Sequence, residues 1–143
     1  MICLEIDSGP YLVKPSTEKF DNGERPVNIH RDNMVWLSEY ESALVSGEDI
    51  KLAHLWQNKA NSTQGMLVKL SKGAKGFLFG QSDEFKAVVI QGIASYQSNE
   101  TSHVVKLNAG SFFSSKGEFE HLLSTESETI IYVRTDAKLK AVF

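Results

Sequence analysis

Cysteine occurs once, at Cys3, so no disulfide can close within the chain; this fits a reducing compartment. Concentrated positive charge is missing as well. Lys69, Lys72, Lys75, Lys86, Lys106 and Lys116 are dispersed, and 15 Lys and Arg stand against 18 Asp and Glu, for a formal net charge of −3. Nucleic-acid binding depends on a concentrated basic field, so that class is set aside. The opening stretch "MICLEIDSGPYLVKP" carries Glu5 and Asp7 and no long apolar run, so neither a signal peptide nor a membrane-spanning helix is expected, and the expected location is cytoplasmic. Helical periodicity is scarce. Its best case is residues 38–45, "SEYESALV", stopped at Ser46-Gly47. No nucleophile elbow, Cys–His pair or paired-carboxylate motif is visible, and "GAKG" at 73–76 is a turn without the spacing of a phosphate loop.

What the chain does contain is a succession of short apolar or alternating runs. They include "MVWL", "KLAHLWQ", "GMLVKL", "FKAVVIQG", "IASYQ", "HVVKL", "SFF", "FEHLL" and "TIIYV". Turn residues separate them, as at Asn61-Ser62, Gln97-Ser98-Asn99 and Asn108-Ala109-Gly110. Many short strands at close spacing predict an all-β sandwich or barrel. Residues 15–31 are polar and weakly patterned. The chain therefore divides into an N-terminal arm, 1–32, bearing the strand-like "ICLEI" and "YLV", and a barrel, 33–143. "ICLEIDSGPYLV" also echoes "IIYVRTDAKLKAV" when Asp7 is set on Asp136, as if the arm once closed a preceding unit. So apolar an arm is expected to add to a β-sheet and to contribute to a dimer interface.

Two segments resemble the motifs of cupins. "SKGAKGFLFGQSDEFKAVVIQGIASY" is similar to the first cupin motif: a glycine, a metal-binding His-x-His, an acid four residues later and a strand ending in glycine. "LNAGSFFSSKGEFEHLLS" is similar to the second, with its single histidine, and "LAHLWQN" resembles a strand of the cupin group related to ChrR-type anti-sigma factors. The resemblance implies a jelly-roll β-barrel of the RmlC-like cupin type, often dimeric, with a divalent metal held by both motifs in many members. Carried onto this chain, the first-motif histidines fall on Phe79 and Gln81, the acid on Phe85 and the second-motif histidine on His121. One of the four ligands is retained.

Side chains alternate faces along a strand, so Phe79, Gln81 and Phe85 share a parity that the resemblance turns into the barrel. Glu84 has the opposite parity and points outward unless a bulge intervenes. A divalent metal needs three or four converging nitrogen or oxygen donors. The expectation is no metal, no cofactor and no catalytic residue. The barrel would instead take a small, largely apolar ligand contacted by Gln81 or His121 among Phe79 and Phe85, with His54 and Trp56 on one strand face beside them. A homodimer is expected, without nucleic-acid or membrane partners. Two alternatives stand beside this reading: a metal-dependent cupin oxygenase or isomerase using His121 with an unrecognised acid, and a structural domain whose barrel is filled.

Overall fold

The structure, a computed structural model, describes residues 29–98, 103–136 and 138–143. The expected hairpin of the arm and its echo at Asp7 lie outside the described residues. Among the described residues, nine strands follow in chain order: β1 (Val45–Ser46), β2 (Ile50–Gln57), β3 (Gln64–Leu70), β4 (Lys75–Gln91) and β5 (Ile93–Ser98), then β6 (Val105–Asn108), β7 (Phe112–Thr125), β8 (Thr129–Thr135) and β9 (Lys140–Val142). All pair antiparallel except β1 with β9. The fold is all-β and of jelly-roll type.

The two sheets share their longest strands. The second half of β4 lies between β8 and the first half of β7, continuing outward through β3 to the edge strand β2. The first half of β4 lies between β9 and the second half of β7, which continues through β5 to β6. Facing rows from both sheets fill the interior. Leu52, Met66, Val68, Ile131 and Val133 come from one side, Leu78 and Leu123 from the other, all fully buried. Complete burial of each such side chain contributes about 1.5–3 kcal/mol relative to exposure.

The strand β4 changes sheets at a bulge. Ser82 pairs with Gly117 and Phe85 with Ser115, so Asp83 and Glu84 together oppose Lys116 alone. Gly117 takes a φ of 86°, a left-handed conformation open to glycine without the strain a side chain would add. Hydrogen bonds fix the bulge. The Ser82 hydroxyl donates to the Asp136 carboxylate and accepts from the Thr135 hydroxyl at 3.1 Å and from the Glu84 backbone N–H at 3.1 Å. Ser82 and Thr135 are buried, where unpaired hydroxyls would be costly.

The bulge corrects the expected alternation. Before it, Leu78, Gly80 and Ser82 carry the inward parity, while Phe79 and Gln81 carry the outward one; after it, Phe85, Ala87 and Val89 point inward. An extra residue in one strand reverses the parity of everything beyond it. Three further expectations are revised. The phenylalanines of "SFF" and all of "FEHLL" belong to the single strand β7, and "MVWL" contributes one bridge, Leu37 to Leu52. Residues 38–45 form turns instead of a helix. Ser38 and Glu41 make the hydrogen bonds of a helix start, but Val45 leaves to pair with Ala141 of β9.

This assignment of faces predicts opposite outcomes for neighbouring substitutions. Ser82→Ala strands the groups that meet its hydroxyl and is expected to cost about 1–3 kcal/mol. Gln81→Ala, at an exposed position, is expected to stay within about 0.5 kcal/mol. Urea unfolding of both variants checks the pair; equal costs would contradict the bulge.

Candidate functional site: a buried histidine in an aromatic cluster

Beyond Gly117, the strand β7 resumes strict alternation. Phe119, His121 and Leu123 point inward, and Glu118, Glu120 and Leu122 outward. Phe113 and Ser115 point inward before the glycine, as the adjacency of Phe112 and Phe113 requires, with Phe112 left outside. The bend brings Ser115 back onto His121. Their hydroxyl and Nε2 are 2.9 Å apart, and the Tyr96 hydroxyl of β5 lies 3.2 Å from Nδ1.

Four aromatic rings surround the imidazole. Phe119 stacks on it with centroids 5.1 Å apart and an interplanar angle of 19°. Phe85 approaches to 5.0 Å, Tyr96 to 5.4 Å and Phe113 edge-on to 5.5 Å. The rings also touch each other, with Phe85 and Phe119 at 4.5 Å. His121 is 3% exposed, and this burial pushes its pKa down to about 4. Desolvation disfavours the imidazolium and is the cause of the shift. At neutral pH the ring is uncharged. One nitrogen donates and the other accepts, so one of the two hydroxyls donates to the ring while the other accepts from it.

The six residues expected to line a ligand site are distributed as follows. Phe85 and His121 meet inside the barrel. Phe79 and Gln81 stand on the outward face of β4, on the far side of the sheet from His121. A second bulge separates His54 from Trp56. His54 pairs with Met66 and Trp56 with Gly65, so they no longer share a face. His54 is exposed on the edge strand. The Trp56 indole lies over Gly65, where a side chain would collide with it, and donates from Nε1 to the Tyr132 hydroxyl at 3.2 Å. Tyr132 lies between the buried Ile131 and Val133, which places this pair on the sheet's outer side.

Alternation within β7 signals Phe119 beside His121, and the same parity signals Phe113. Nothing local marks Tyr96 or Ser115 as partners of the imidazole, because one sits on another strand and the other lies across a bend.

The cupin resemblance implies a metal, and the residues present can be tested for it. Leu78, Gly80, Ser82 and Phe85 hold the inward places of the first motif, supplying one hydroxyl already engaged with Asp136. Both nitrogens of His121 are occupied by Tyr96 and Ser115. Among the described residues, no three His, Cys, Asp or Glu side chains are placed to hold an ion together. This donor set does not fit a divalent metal, which needs several converging oxygen or nitrogen ligands. Glu84 is spent elsewhere, bound by Arg134 at 3.1 Å and by Lys86, with the Lys86 hydrogen bond foremost in holding its carboxyl below the usual range.

Comparison with known proteins fits this architecture. An RmlC-like cupin from Shewanella frigidimarina superposes with a TM-score of 0.60 at 14% identity, over 77% of this chain and 88% of that one. An acetylacetone dioxygenase from Acinetobacter johnsonii reaches 0.63 at 17% identity, over 84% and 78%. The structure of KdgF from a Halomonas species gives 0.58 at 15%, over 75% and 92%. At these identities the likeness establishes the fold alone. No curated protein matches the sequence. The family described as "Domain of unknown function (DUF4437)" matches residues 1–142. The chain therefore belongs to the DUF4437 family, built on an RmlC-like cupin fold.

Proposed function

We propose that this chain is a non-catalytic cupin module that works without a metal and holds a small, largely apolar ligand inside the barrel. The observation that carries this reading is the state of His121: neutral, buried, hydrogen-bonded through both ring nitrogens and surrounded by Phe85, Phe113, Phe119 and Tyr96. Aromatic walls with one polar group favour an apolar guest held in one orientation. Tyr96 and Ser115 are only partly buried, which makes them the natural first contacts for an entering molecule. A neutral imidazole without a carboxylate neighbour is poorly equipped to keep a proton taken from a substrate, which argues against general-base chemistry. The resemblance of "LAHLWQN" to ChrR-related cupins belongs to this proposal, as does a cytoplasmic setting. Among the described residues, no helix is long and apolar enough to cross a membrane.

The close ring contacts favour a second reading, a barrel filled by its own side chains. Elemental analysis and native mass spectrometry of the purified chain separate the possibilities. The proposal expects substoichiometric transition metal and a retained small organic molecule, with retention lost on Phe85→Trp. Stoichiometric metal that disappears with His121→Ala would overturn it. A metal-free chain that holds no ligand, and binds no apolar aromatic probe, would establish the filled barrel.

The burial of His121 also predicts a pH dependence. Its folded pKa of about 4 lies below the ordinary histidine value of 6.5, so the unfolded chain takes up the proton first as pH falls. Stability from this group is complete above about pH 6.5 and declines between there and about pH 4, by roughly 3 kcal/mol in all. Urea midpoints measured across this window are expected to fall more steeply for the natural chain than for His121→Gln. Parallel curves would refute the assignment.

A further inference from the structure

The outward parity of Phe79 and Gln81 gives the second sheet an unusual outer surface. On this face of β4, Phe77 lies between Val142 of β9 and Leu122 of β7. Phe77 is 37% exposed and Val142 45%, and Leu122 is partly exposed beside them. One step along the strand, Phe79 lies between Lys140 of β9 and Glu120 of β7. Both charged residues are exposed. They stand at one level but two strand spacings apart, about 10 Å, with Phe79 between them. The two do not pair with each other, and neither residue has an ion-pair partner among the described residues.

This surface is complementary to itself. Consider a two-fold axis lying against the sheet and running along β4. Rotation about it keeps each level along the strand and exchanges left with right, so β9 of one copy covers β7 of the other. Lys140 then meets Glu120 of the second copy, twice over by symmetry. Val142 meets Leu122 of the second copy in the same way, and Phe77 and Phe79 pack near their own counterparts on the axis. Aligned sheets pack about 10 Å apart with strand directions within about 30°, so the arrangement is a normal one for β-sheets. An isologous interface needs such a self-matching pattern. An apolar centre with charges at its margin also matches the usual anatomy of protein interfaces.

We propose that the outer face of the sheet β1-β9-β4-β7-β5-β6 is the homodimer interface, with Lys140 of each copy paired to Glu120 of the other around Phe77 and Phe79. The reading is independent of any ligand in the barrel.

Charge exchange tests it on the full chain, by light scattering at one protein concentration. The natural chain is expected at the mass of two copies. Glu120→Lys and Lys140→Glu each set like charges against each other at both symmetric contacts, and each is expected to reduce the mass to one copy. The double exchange Glu120→Lys/Lys140→Glu restores opposite charges and is expected to restore the dimer. Circular dichroism melting curves show whether each variant is folded, and both positions are exposed. A natural chain of single-copy mass would overturn the proposal. So would a dimer that survives both single exchanges and Phe77→Asp. A dimer that tolerates these changes and dissociates only when residues 1–14 are deleted would assign the contact to the N-terminal segment instead.

Discussion

The bulge between Ser82 and Phe85 is the feature on which the remaining structure turns. It lets β4 keep β7 as a neighbour along its length while exchanging β9 for β8 on the other side. One continuous strand thus belongs to both sheets. An inserted residue bends a strand and reverses its faces, and the buried hydroxyls of Ser82 and Thr135 hold it in place against Asp136. The hydrogen bond from Ser82 is foremost in keeping the Asp136 carboxyl below its ordinary range. It ties the end of β8 to the point where β4 changes sheets. Phe85 is the first inward residue beyond the bulge, which sets it against Phe119 and His121 in the centre of the barrel.

The interior shows how far a fold and its chemistry can separate. The jelly roll aims inward rows from β4 and β7 at one region, an arrangement that can serve metal ligation when those rows carry imidazoles and carboxylates. Here they carry aromatic rings and hydroxyls. The same geometry then produces an aromatic cluster around one neutral histidine. Burying an imidazole is costly unless both nitrogens are satisfied, and Tyr96 and Ser115 meet that requirement. The likeness to a dioxygenase concerns the fold, because function follows the side chains placed on it.

The same parity argument links the barrel's inside to its outside. Residues displaced from the interior by the bulge have to face solvent or a partner. Phe79 shares the outer face of the sheet with Phe77, where Val142 and Leu122 flank Phe77 and Lys140 and Glu120 flank Phe79. A single inserted residue therefore shapes two surfaces, the lining of the barrel and the outer face of its second sheet.

The sequence by itself determined the fold class, through short alternating runs punctuated by turn residues. It also determined the placement of His121 with Phe119, because alternation within an uninterrupted stretch of β7 is a local property. It identified Phe85 as inward, at the place the motif reserves for an acid. The tertiary structure alone decided the faces of Phe79, Gln81, His54 and Trp56. Period-two reasoning fails across a bulge, and both β2 and β4 contain one at the relevant point. It also decided that Tyr96 and Ser115 would be the partners of His121, and that residues 38–45 would turn without forming a helix. Those outcomes depend on contacts between segments far apart in the chain, such as Val45 with Ala141, and no local pattern specifies which distant strand will be the neighbour.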